Sequence, residues 1–162
     1  MFKNHKTHLY NILLTLSRNI FFYKKINLKD NYETRIYLMF MHFSILMIIS
    51  KNKGKKFNQD EYDNLFNYIE YNLREMGYGD VSVNKKMKEL NKILYDILLK
   101  IRIDKNNFNN LNFELISKYF DVFKSQEEQN YKEFEGYFIS FYSFCYKVPL
   151  ENMLKKAINF KY

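Results

Sequence analysis

The sequence predicts an all-α fold, a compact single-domain bundle of six to seven helices over residues 1–162. Three observations lead there. Apolar residues step by three or four positions almost everywhere, which places each set on one helix face. Strand-type alternation is scarce. Gly (4) and Pro (1) are rare, and no Ser/Gly/Pro-rich linker divides the 162 residues.

The first element follows from Leu9, Ile12, Leu13, Leu16 and Ile20, one stripe of a helix behind a basic start. The start resembles a signal peptide only superficially. Its apolar run is short, contains Asn11 and leads to Ser17-Arg18-Asn19 without a small-residue cleavage site. The run Ile36–Ile49 is the most apolar of the chain and includes His42 and Ser44. A membrane span needs about 20 residues, so this run is read as a buried core helix. Lys51–Lys56 reads as a loop.

A third helix is announced by Asn58 as N-cap, Glu61 at the N3 position of a capping box, and Phe57 and Tyr62 as a hydrophobic staple. Tyr62, Leu65, Phe66, Ile69, Leu73 and Met76 form its stripe. Gly77 suits the left-handed position after its end, with Tyr78 placed to pack on Leu73. Gly77 and Gly79 are two of only four glycines, so the segment reads as a specified corner between helices. Ser82 or Asn84 is read as the cap of the next helix, whose stripe is Val83, Met87, Leu90, Leu94, Ile97, Leu98 and Ile101. That start puts Lys85 and Lys86 in the first turn, where positive charge is unfavourable. Glu75 and Asp80 upstream, or an acidic partner, would offset it. A local rule broken beside a well-built turn marks a candidate functional site.

Asp104–Asn110 reads as an Asn-rich loop. Tyr131, Phe134, Phe138, Phe141 and Cys145 form the last long stripe, and Pro149 suits the first position of a final helix from Leu150 towards Phe160. The aromatics of Phe134–Tyr146 surround much of their helix. The reading preferred is a core; the other is an exposed patch that binds protein or a membrane interface.

The net charge of +8 suits an acidic partner, but net basic segments (1–30, 51–56, 81–105) alternate with net acidic ones (57–80, 106–135). Asn, Lys, Ile, Phe and Tyr, the residues of AT-rich codons, are all inflated. Charge therefore supports nucleic-acid binding only weakly, and no DNA partner is expected. Cys145 is the single cysteine, so no intrachain disulfide forms, and its aromatic surroundings suit a buried thiol. No catalytic signature is present. Gly77-Tyr78-Gly79 lacks the rest of any phosphate-binding fingerprint. His5 and His8 lack further ligands nearby, and no metal or cofactor is expected. His42 is read as a core histidine with a hydrogen-bond partner.

The segment Leu73-Arg74-Glu75-Met76-Gly77-Tyr78-Gly79-Asp80-Val81-Ser82-Val83-Asn84-Lys85-Lys86-Met87-Lys88, followed by Leu94-Tyr95, closely resembles the signature of the ubiquinol–cytochrome c chaperone family. Arg18-Asn19 with Phe22-Tyr23 resembles that family's opening helix, and Arg35-Ile36 with Leu38–His42 its apolar second helix. The likeness covers about residues 9–100. Thr34 and Asn84 depart from the pattern, both standing where glycine is common.

The resemblance implies a non-enzymatic all-α assembly factor for the ubiquinol–cytochrome c reductase, respiratory complex III. It implies cytochrome b, or another subunit of that complex, as client. A small partner protein, the ribosome and a peripheral membrane contact are further implied partners. The family-like region begins close to Met1, which suggests a bacterial member acting in the cytoplasm or at the inner face of the inner membrane. In this reading the corner fixes two helices as a bracket. Arg74, Glu75, Asp80, Lys85 and Lys86 form a charged rim, and apolar surface beside it holds the client. Two alternatives stay open: an RNA- or ribosome-binding module, and a small haem carrier or enzyme using His42 with Glu70, Glu75 and Asp80.

Overall fold

The computed structural model describes residues 8–162. The histidine pair His5 and His8 lies partly outside them. Among the described residues the structure is all-α, with seven helices and no strand. They are α1 (His8–Ser17), α2 (Tyr32–Asn52), α3 (Gln59–Glu75), α4 (Asp80–Lys100), α5 (Phe113–Tyr119), α6 (Gln129–Tyr146) and α7 (Met153–Ala157).

α2 is the axis. It packs against α1, α4 and α6, and its side chains from Leu38 to Leu46 are buried without a break. A helix surrounded by others has no face left for polar residues, which is why this run has no polar stripe. It is long and apolar enough to cross a membrane by composition, but here its apolar surface is covered by protein. Asn31 starts it, with its side-chain oxygen accepting from the Thr34 N–H at 2.9 Å.

α1 ends at Ser17, earlier than its stripe predicts. The Asn19 side chain accepts from the Phe21 N–H at 3.0 Å, and a π-helical turn, Phe21–Lys25, follows. It closes through the Ile26 N–H on the Phe21 carbonyl at 3.1 Å, and the Leu28 N–H then donates to the Phe22 carbonyl at 3.0 Å. Asn27 takes φ +72°, the left-handed conformation that asparagine tolerates best among non-glycine residues. The turn drives Phe22 into the core, against His42, Phe134, Tyr137 and Phe138.

The core is continuous from Leu9 to Phe160. α6 supplies much of it through Tyr131, Phe134, Tyr137, Phe138, Phe141 and Cys145, all buried. The aromatic run of α6 is thus packing material and not an exposed patch. The Asn-rich loop is pinned by Phe108, which is buried and stacked on Tyr142 at 4.8 Å. The chain end differs from the expectation. Pro149 is the cap of a 3₁₀ turn, Leu150–Asn152, and only then does the short α7 begin.

Candidate functional site

The corner between α3 and α4 is built as a Schellman turn. The Tyr78 N–H donates to the Leu73 carbonyl at 3.2 Å and the Gly77 N–H to the Arg74 carbonyl at 3.0 Å, satisfying carbonyls that the helix end leaves open. Gly77 takes φ +98°, which an L-residue adopts only with strain. Gly79 has φ −82° and ψ 174°, ordinary extended backbone. The corner thus depends on one glycine, not two.

Gly79 is itself the N-cap of α4, with no side-chain cap. The helix starts at Asp80, before the Ser82 or Asn84 cap expected from the sequence. Lys85 and Lys86 consequently lie in the second turn. The first turn carries Asp80, whose charge favours a helix N-terminus. The rule broken in the sequence reading is not broken in the structure.

The five rim residues take four different roles. Arg74 and Asp80 form a clasp across the corner, with Arg74 Nη1 donating to Asp80 Oδ1 and Nη2 to Glu70 Oε2 at 3.0 Å. The Asp80 and Glu70 hydrogen bonds hold the guanidinium pKa above its ordinary value. Glu75 bonds the neighbouring Tyr71 hydroxyl and raises its pKa. Lys85 is exposed. Lys86 is only 18% exposed and bridges Glu33 of α2 (3.8 Å) and Glu89 of its own helix (3.6 Å). Lys86 therefore belongs to the α2–α4 contact and not to a free rim.

The corner also displays apolar side chains that the sequence reading did not assign to the site. Val81 is 83% exposed, Met76 49% and Tyr78 37%. The sequence predicts that the Tyr78 side chain packs on Leu73; Tyr78 bonds Leu73 through its backbone N–H instead, and its side chain is 37% exposed. The capping box at the other end of α3 is half made. Asn58 Oδ1 accepts from the Asp60 and Glu61 N–H groups, while Glu61 Oε1 is buried with no hydrogen-bond partner among the described residues.

The elements of the haem or enzyme alternative are placed elsewhere. His42 is fully buried, and both ring nitrogens are engaged: Nδ1 with the Leu38 carbonyl at 2.7 Å and Nε2 with the Tyr137 hydroxyl at 2.8 Å. A carbonyl accepts only, so Nδ1 carries the proton and Nε2 accepts from Tyr137. Burial lowers the imidazole pKa to about 4, against the opposing pull of the Leu38 bond. Phe22, Phe138 and Phe141 close around the ring. Glu70 and Asp80 are tied to Arg74, far along the chain from this histidine. Burial pushes the Cys145 thiol up to about 12, an inert core side chain.

At the open end of the α3–α4 hairpin, roughly 20 Å from the corner by helical rise, an apolar groove of about 670 Å³ lies between the end of α2, the start of α3 and the end of α4. Nothing local in the sequence announces it, because its walls come from segments fifty positions apart.

An apolar corner and an apolar groove, both framed by charge, are surfaces suited to binding a partner. A family model described as ubiquinol-cytochrome C chaperone matches residues 24–106. The chain belongs to the ubiquinol–cytochrome c chaperone family. Membership supports a role in chaperoning or assembling respiratory complex III, and with it an interaction with components of that complex. No curated protein and no solved structure matches the chain. The matched region holds α2, α3, the corner and α4, so both surface features fall inside it.

Proposed function

We propose that this protein is a non-enzymatic assembly chaperone of the ubiquinol–cytochrome c reductase that holds immature cytochrome b through the α3–α4 corner. Family membership supports the complex. The observation that carries the site is the apolar set Met76, Tyr78 and Val81, exposed on a rigid turn and bordered by Arg74, Glu75, Asp80 and Lys85. Apolar contact supplies affinity, and the surrounding charges set register and rate of encounter. Holding a partly folded membrane subunit requires no bond to be made or broken.

Val81→Asp tests this with little risk to the fold. Position 81 lies in the first turn of α4, where an acidic side chain is favourable. A tagged copy of the wild-type chain is expected to co-purify with newly made cytochrome b, and the Val81→Asp copy to lose it at unchanged melting temperature. Undiminished recovery with Val81→Asp would remove the corner from the client site.

A further inference from the structure

The groove at the open end of the hairpin is not used by the client reading. Met47, Ile48, Phe57, Tyr62 and Leu98 supply its apolar walls. Lys51, Lys55, Lys56, Arg102 and Lys105 also line it, and among the described residues no Asp or Glu does. Elsewhere on the chain cations and carboxylates alternate, so a one-signed rim is a departure.

Two of these cations have a local task. Lys51 lies in the last turn of α2, and the Lys105 ammonium donates to the Leu99 carbonyl at the end of α4; both complement helix C-termini. Lys55 and Lys56 follow α2 in the loop, and their side chains have no ion pair among the described residues. Arg102 also lines the groove, and a planar guanidinium matches a phosphate group. Beside the groove, Leu99 and Ile103 are 62% and 65% exposed.

An apolar trough, a cationic rim and two projecting aliphatic side chains match an anionic amphiphile at a bilayer surface. RNA would use the cations but has no acyl chain for the trough. We propose that this groove binds an anionic phospholipid of a membrane, its phosphate on Lys55, Lys56 and Arg102 and its acyl chain along Phe57 and Leu98. The site lies at the opposite end of the hairpin from the corner. It stands or falls independently of the client reading, since its test contains no client.

The test is flotation of the full chain with vesicles of phosphatidylcholine alone or of equal parts phosphatidylcholine and phosphatidylglycerol. The protein is expected to float with the mixed vesicles and not with the neutral ones. Each basic residue near an anionic surface contributes about fivefold in affinity, so Lys55→Glu with Lys56→Glu is expected to weaken binding by roughly thirtyfold or more. Leu99→Gln is expected to weaken it without any change of charge. Lys24→Glu with Lys29→Glu, the same charge change on exposed side chains before the start of α2, is expected to leave it within about twofold, because the length of α2 puts them beyond a Debye length from the groove. Equal binding to neutral vesicles would overturn the proposal. So would an equal loss in the Lys24/Lys29 variant, which would reduce the effect to net charge. Loss of single-stranded RNA binding in the Lys55/Lys56 variant, with vesicle binding unchanged, would assign the rim to RNA instead.

Discussion

Replacing Gly77 by alanine isolates the backbone term of the corner. A Cβ at position 77 meets nothing within 4 Å, so no clash contributes, and the whole effect comes from φ +98°. Holding an L-residue in the left-handed region costs about 1–2 kcal/mol. The Schellman hydrogen bonds from Gly77 and Tyr78 keep the turn in place, so the residue cannot relax without losing them. For a chain of this size about 1 kcal/mol corresponds to about 2–4 °C in melting temperature. Gly77→Ala is therefore expected to melt about 2–8 °C lower. Gly79→Ser is the matched control. Its φ and ψ are those of an N-cap, its Cβ also meets open space, and α4 lacks a side-chain cap. A serine there supplies one and is expected to stabilise by a few tenths of a kcal/mol, roughly the Ser–Gly difference at that position. Thermal melts of the two variants followed by circular dichroism decide the matter. If Gly77→Ala melts like the wild type, or if both variants lose equally, the single-glycine account of the corner is wrong.

Three further outcomes follow from the interior and the helix contacts. His42 titrates near 4 when folded and near 6.5 when unfolded. The unfolded chain thus binds the proton first as pH falls, and stability decreases from about pH 6.5 down to about pH 4 by about 3 kcal/mol. His42→Gln is expected to flatten urea-denaturation stability across that window. Tyr137→Phe removes the donor to His42 Nε2 and is expected to cost about 1–3 kcal/mol, because the buried acceptor is left unpaired; an unchanged urea midpoint would contradict the assigned hydrogen bond. Lys86→Glu places a carboxylate against Glu33 and Glu89 and is expected to lower the melting temperature. Lys85→Glu, on an exposed side chain, is expected to stay within about 0.5 kcal/mol of the wild type.

Much of the architecture is written in the sequence because helices repeat with a period that side chains must obey. The stripes of α4 and α6 turn inward where the spacing puts them, as does that of α3 except for Met76, which lies past the helix end and is exposed, and Asn58 and Gly77 bound α3 as their chemistry requires. The start of α4 was misplaced for a physical reason. Gly79 caps it through backbone conformation alone, while Ser82 and Asn84 imitate caps from inside the helix. The π-helical turn was invisible because Phe21–Lys25 has helical spacing, and only the neighbouring Asn19 and Asn27 reveal the break. Lys86 reads as a free charge until α2 brings Glu33 to it. The groove is the clearest case of tertiary information. Lys55 and Arg102 are separated by two helices in sequence, and nothing local announces that they share a rim.

Site-specific photocrosslinking locates the client-binding surface. A photoreactive residue at position 81 lies on the exposed start of α4, and one at position 155 on a solvent-facing part of α7. In cells assembling complex III, position 81 is expected to capture newly made cytochrome b and position 155 is not. Capture of cytochrome b from position 155 but not from position 81, or from neither, would contradict a client site at the corner.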